Sequence, residues 1–394
     1  MFENNKWPLL VLGIVGLSFM IPFDSATIRS FPFFMLCLYC LMLDKYWNVF
    51  RERIFQYLFV ASVLTFSFHG FLETKDLVMF VVCLSGISYM SERFEFKPMY
   101  LYVFFGVFVL GSSLVHYAMG DNVTWIPYDG VINIFGVGTK HGTAIAGAIL
   151  LLPTLAYLYE RYKGLPVELS LTTLISLFIL SVYLVVFSSS RSATLAVVMI
   201  CLYLWINRVS FRKKFSICFF CVCNASVFFL EYVADYIGYI NDIPWLAEFV
   251  HTDNFEQYGV TSGRAWLWGV HMHSFFTSPF LMGGGRAVTD FLVNDWLPWL
   301  GVQAKAGSES VYTGYLACYG LVGVGLILIQ LGLFLIAVKK EAILASAIMF
   351  FMIYNTTMGI SLVTSYNYDG ILCYFLYFMY LNKSDSYKRL GVKI

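Results

Sequence analysis

Apolar residues in this chain come in long runs separated by short polar breaks. The runs lie near 7–23, 31–49, 55–72, 77–91, 97–118, 139–160, 168–188, 192–207, 215–231, 309–338, 342–363 and 367–382. Most approach the ~20 residues that a helix needs to cross a bilayer, so the pattern predicts twelve transmembrane helices. The first run has only Lys6 ahead of it and no convincing cleavage site, and it reads as a span rather than a secretory signal. Composition points the same way: 59% of the 394 residues are hydrophobic and 12% charged, against roughly 25% charged in a soluble domain. The expectation is an all-α polytopic membrane protein, 1–394 forming a single integral membrane domain.

Lys and Arg in alternate loops set its direction. With a cytoplasmic N-terminus, 18 of the 25 basic residues fall inside, among them Lys45, Arg51, Arg53, Arg212, Lys213, Lys214, Lys339 and Lys340. The seven outside are Arg29, Lys75, Lys140, Arg191, Arg264, Arg286 and Lys305. The opposite orientation would reverse that bias, so both termini are expected in the cytoplasm.

Several function classes drop out. All nine cysteines lie in or beside apolar runs and imply no disulfide framework. Cys218, Cys221 and Cys223 have no second ligand pair and read as helix packing, so no metal is expected. A net charge of +1 carries no message about nucleic acid, and no phosphate loop for ATP is present.

Two outside loops are long: Gly120 to Thr139, and 231–308 between spans nine and ten. The second holds Trp245, Trp266, Trp268, Trp296 and Trp299 with many aliphatics. That is too apolar for a solvated tail, and short helices on the membrane surface are expected. No internal repeat supports an inverted-repeat transporter.

Three outside elements could carry chemistry. Arg191 follows Ser188, Ser189 and Ser190 at the mouth of span eight; it is either a snorkelling anchor or, against the local charge bias, the partner of an anion. Thr261 to Trp268 places Arg264 in the first turn of a helix capped by Ser262, where dipole and guanidinium favour an anion together. Pro279 and Gly283–Gly284–Gly285 then precede Arg286, the glycines permitting positive φ and close backbone approach. Glu309, Ser310 and Tyr312 open span ten ahead of Gly320 and Gly323. Glu309 suits a helix cap, and as an ionisable group at membrane depth it is also a functional candidate.

These elements, in this order, resemble the O-antigen polymerase and O-antigen ligase superfamily of bacterial surface-polysaccharide synthesis. The resemblance rests on Ser188 to Ala193 with Leu195; on Gly263, Arg264 and Trp268 followed by Pro279, Gly283 and Gly285; and on Glu309, Ser310, Tyr312, Gly320, Leu321 and Gly323. It covers roughly 135–330; the first 120 residues match in hydropathy alone. Ligases of the superfamily carry His-Asn where this chain has Glu309-Ser310, which favours the polymerase (Wzy) branch.

The resemblance implies a GT-C-like fold in the bacterial inner membrane with a periplasmic active site. It implies a glycosyltransferase that moves the growing chain from undecaprenyl diphosphate to the non-reducing end of a lipid-linked repeat unit. A sugar diphosphate is an activated donor whose departing group gains negative charge, so positioned cations suffice without a metal or other cofactor. Arg191, Arg264 and Arg286 suit that role through bidentate hydrogen bonds. Glu309 is the candidate general base, Ser310 and Tyr312 position the acceptor, and Lys140 and His141 are secondary contacts. Direct displacement inverts the anomeric centre. A chain-length regulator of the Wzz type is the implied partner. The alternatives are a ligase acting on lipid A core with the same donor and, in another class, a flippase or exporter, which would need charges in mid-span positions where these runs have almost none.

Overall fold

The computed structural model describes residues 26–43, 53–93, 99–126, 131–135, 140–162, 164–188, 190–208, 264–296, 310–340 and 342–357, with isolated positions elsewhere. Among them every regular element is helical; the one β-type contact is a bridge between Thr124 and Asn133. The helices are α1 (Ala26–Leu43), α2 (Arg53–His69), α3 (Phe71–Arg93), α4 (Met99–Ala118, with a π turn at Phe105–Val109), α5 (Lys140–Tyr162), α6 (Leu171–Phe187), α7 (Arg191–Arg208), α8 (Arg264–Thr277), α9 (Gly285–Phe291), α10 (Val311–Tyr319), α11 (Leu321–Lys340) and α12 (Ala342–Thr357). Of the expected runs, 7–23, 215–231 and 367–382 lie, but for a few isolated positions, outside the described residues, as does 231–263 of the long loop.

Among the described residues, three helices are long and apolar enough to cross a membrane: Met99–Ala118, Gly142–Tyr162 and Leu321–Val338. The protein's surface agrees with such a setting, because α2 alone exposes Phe59, Val60, Val63 and Phe66, a stripe that water would penalise and lipid would not. Burial separates the three by position. The apolar stretch of α5 is 83% buried, against 33% for α4 and α11, which makes α5 the central helix. It packs on α4, α6 and α12.

Small residues set the closest contacts, as expected where backbones approach without a hydrophobic drive between helices. A Cβ on Gly147 of α5 would stand 2.8 Å from Val185 and 2.9 Å from the Ser181 carbonyl of α6. A Cβ on Gly86 of α3 would strike Cys37 of α1. Ser170 accepts the Thr173 N–H at 3.1 Å and so caps α6.

The structure departs from the expected single run at 309–338. That stretch is two helices, α10 and α11, broken at Gly320 with φ 56° and ψ −127°. The break is sharp. A Cβ on Gly323 would collide with the carbonyl of Tyr315, although residues eight apart in one straight helix are separated by about 12 Å of rise. The chain therefore folds back at Gly320, and α10 lies against α8, α9, α11 and α12 instead of extending α11.

Candidate functional site

The fold-back at Gly320 meets the turn between α8 and α9. That turn is a short 3-10 segment, Pro279–Leu281, in which Phe280 (φ 53°) and Leu281 (φ 56°) are held in left-handed conformations, followed by Gly283 (φ 82°) and Gly285 (φ 76°). Gly283 and Gly320 face each other: a Cβ on Gly283 would lie 2.7 Å from the Ala317 carbonyl and 2.8 Å from the Gly320 nitrogen, and one on Gly320 would overlap the Leu281 carbonyl. The Gly284 N–H donates to the Ala317 carbonyl at 2.8 Å, and the Gly283 N–H to Ser278 Oγ at 2.8 Å. The close approach expected of this glycine run is thus made to the protein's own backbone.

Two histidines brace the knot. His69, the last residue of α2, donates through Nε2 to the Met282 carbonyl at 2.8 Å. His271 of α8 is buried, with Nδ1 2.9 Å from Thr313 Oγ1 of α10. Burial pulls the imidazole of His271 down from 6.5 to about 4, so it is neutral at ordinary pH and acts as a hydrogen-bonding strut. Buried Glu73 approaches the same turn: a Cβ on Gly285 would stand 3.3 Å from its Oε1 and 3.2 Å from His69 Nδ1.

The candidate residues from the sequence fall at helix starts. Lys140 and His141 open α5, Arg191 opens α7, Arg264 opens α8, and Arg286 is the second residue of α9; their side-chain positions lie outside what is described. Glu309 also lies outside the described residues. Ser310 immediately precedes α10 and is buried, and Tyr312 lies in its first turn. The Tyr312 hydroxyl donates to the Met352 carbonyl at 2.9 Å, fastening α10 to α12. Helix N-termini carry partial positive charge, and basic residues there add to a field that attracts anions. The helices opened by Arg264, Arg286 and Ser310 pack together; α12 touches α10, α7 and α5 and so joins the helices opened by Arg191 and Lys140 to that group.

The hydroxyls of Ser190 and Ser310, each just before its helix, are buried with no hydrogen-bond partner among the described residues. Neither hydroxyl caps its helix. Asn355 on α12, one turn beyond Met352, is likewise fully buried with both amide atoms unpartnered there. Among the described residues no group of three or more His, Cys, Asp or Glu side chains is placed to hold a metal ion.

Sequence reasoning missed His69, Glu73, His271 and Asn355. Asn355 carried a usable signal, being an amide inside an apolar run. His271 and Ser274, at i and i+3, mark one polar face of α8. His69 and Glu73 carry no local signal, since only the fold brings them to residue 285. The chain matches no protein-family model and no curated protein.

Proposed function

We propose that this all-helical membrane protein is a glycosyltransferase of the O-antigen polymerase type, with twelve spans, a GT-C-like arrangement, both termini in the cytoplasm and its site at the periplasmic face of a bacterial inner membrane. The observation that carries the reading is the nesting of the Pro279–Gly285 turn against the Gly320 fold-back. Two motif segments that suggested the superfamily by order and spacing are parts of one tertiary contact, with Arg286 directly after it and with Arg264 and Ser310 at the other ends of α8 and α10, the two helices that run into it.

In this reaction an acceptor hydroxyl oxygen attacks the anomeric carbon of the lipid-linked chain. The carbon–oxygen bond to diphosphate breaks, undecaprenyl diphosphate departs with the bonding pair, and the hydroxyl proton passes to the Glu309 carboxylate. Arg191, Arg264 and Arg286 hold the diphosphate and stabilise the charge it gains, an effect of about 3 kcal/mol for each well-placed donor. Tyr312 acts by fixing α10, and Ser310 offers its hydroxyl beside Glu309. A chain-length regulator would act on this site from outside the chain.

The test is the full-length protein in nanodiscs with a defined undecaprenyl-diphosphate oligosaccharide, wild type beside Arg191→Ala, Arg264→Ala and Glu309→Gln. A ladder of lengthening lipid-linked chains, reduced ~100-fold or more in each variant, is expected. Transfer of preformed polymer to added lipid A core without a ladder would make the protein a ligase, and a fully active Glu309→Gln protein would remove Glu309 from the base role.

A further inference from the structure

We propose that the cleft between the outer end of α2 and the α8–α9 turn is a saccharide subsite that takes a neutral, hydroxyl-rich ring and not the diphosphate. The inference rests on the glycosyltransferase reading for the identity of the sugar, but its geometry stands apart. The cleft has a volume of about 310 Å³, and its walls include Phe68, His69, Ser274, Thr277, Ser278 and Met282. That volume lies at the small end of the range for sites that hold small molecules, which combine apolar walls with a few placed polar groups.

The chemistry of the lining selects the ligand. Each side-chain hydroxyl hydrogen is already spent inside the protein: Ser274 donates to the Ala317 carbonyl, Thr277 to His273 and Ser278 to Phe275. The Met282, Gly283 and Gly284 N–H groups are spent on Pro279, Ser278 and Ala317. His69 uses Nε2 on the Met282 carbonyl, and its Nδ1 faces Gly285. Among the described residues, what remains to a ligand along the lining is the hydroxyl lone pairs of Ser274, Thr277 and Ser278, with no lysine or arginine side chain. Such a surface repels a phosphate, which needs donors, and suits a ligand that brings its own donors. A sugar ring brings several.

The rim supplies the second half of sugar recognition. Phe280 is 81% exposed and meets Phe68 edge to face, ring centroids 6.3 Å apart. It is held there by a left-handed backbone that a bulky residue adopts only at a cost. The electron-rich face of an aromatic ring attracts the polarised C–H face of a pyranose. The cleft adjoins Gly283–Gly284, two residues before Arg286, whereas Arg264 opens α8 at the end away from the cleft.

The experiment uses the full-length protein in nanodiscs and, as probe, the repeat-unit oligosaccharide released by mild acid from the lipid carrier of the source cells. Binding is followed by saturation-transfer NMR for wild type, Phe280→Ala, Thr277→Val and Ser274→Ala, the last two of which remove lining hydroxyls. Melting temperatures confirm that each variant is folded; Thr277→Val, at an exposed position, guards against loss of fold in the others. Each variant is expected to weaken binding roughly fivefold, inorganic pyrophosphate is expected not to displace the sugar, and in the chain-lengthening assay KM for the lipid-linked unit rises with kcat little changed. No binding to wild type, equal binding to all four proteins, or displacement by pyrophosphate each overturns the subsite. The two readings fail separately: sugar binding that depends on Phe280 without chain lengthening sinks the polymerase and leaves the subsite, whereas chain lengthening with unaltered KM in Phe280→Ala and Thr277→Val does the reverse.

Discussion

Replacing Gly320 by alanine tests the contact on which the site is built. An L-residue at φ 56° and ψ −127° pays about 1–3 kcal/mol of backbone strain. The new methyl group would also overlap the Leu281 carbonyl, the Met282 carbonyl carbon and the Gly283 nitrogen. These are backbone atoms with no rotamer to escape into, so relief requires separating the turn from α10, and overpacking of this kind costs a further ~1–3 kcal/mol. The sum, about 4 kcal/mol, is a large share of the roughly 5–15 kcal/mol that holds a typical domain together, and it lowers the melting temperature on the order of 10 °C.

Gly314→Ala in α10 and Gly332→Ala in α11 are the controls. Nothing lies within 4 Å of a Cβ at either position, and both gain about 0.5–1 kcal/mol of helix propensity. Thermal unfolding of the purified proteins in one detergent, followed by tryptophan fluorescence, should rank Gly320→Ala far below wild type and the controls at or above it. Gly283→Ala should behave like Gly320→Ala, and the double variant should cost less than the two together by at least ~1 kcal/mol, because one separation relieves both clashes. A Gly320→Ala protein that melts with wild type, or strictly additive effects, would refute the nested contact.

His271 is neutral in the folded protein, with its pKa lowered from 6.5 to about 4 by burial, so the unfolded chain binds the extra proton first: stability is full above pH 6.5, falls as pH drops towards 4 and levels off below, a loss of roughly 3 kcal/mol. Denaturant midpoints across that range should show this slope in wild type and lose it in His271→Asn. Tyr312→Phe removes the hydrogen bond to Met352 and should cost about 1 kcal/mol; if the hydroxyl only fastens α10, kcat stays within a few-fold of wild type, and a collapse of kcat without loss of stability would place it on the substrate. Asn355→Leu replaces a buried amide that has no protein partner among the described residues, so the melting temperature should hold or rise. A fall would show that ordered water satisfies the amide.

Much of the helix layout was legible because a continuous apolar run has few other ways to fold in a bilayer. The runs at 97–118, 168–188 and 192–207 correspond to Met99–Ala118, Leu171–Phe187 and Arg191–Arg208. The same logic hid the break at Gly320. Gly320-Leu321-Val322-Gly323 is hydropathically silent inside 309–338, and an isolated glycine is commonly tolerated within a helix. What breaks the helix is a partner about 38 residues earlier, the Leu281–Gly283 backbone, which no local pattern encodes. His69 and Glu73 were hidden for the same reason. The arginines at helix starts were legible because serine and glycine punctuation marks those starts in the sequence.

The fold-back also changes the depth at which the candidate base must work. Counting from Leu321 to Lys340, α11 has 20 residues, about 30 Å and enough by itself to cross the hydrocarbon core. Had 309–338 been one helix, Ser310 would stand well outside the membrane, in water. Instead the Tyr312 hydroxyl is bonded to the Met352 carbonyl, ten residues and about 15 Å along α12 from its start at Ala342, beside the pair Lys339–Lys340. In a membrane spanned by α11, that bond lies near half-depth, and Ser310 two residues earlier is fully buried. The residue that follows the proposed base is thus sheltered from water, a setting in which proton transfer from an acceptor hydroxyl competes with few alternatives. Spin labels or cysteine accessibility at 309 and 312 would measure this depth directly: readout typical of bulk water at both positions would return Glu309 to the rim and remove the argument for a sheltered base.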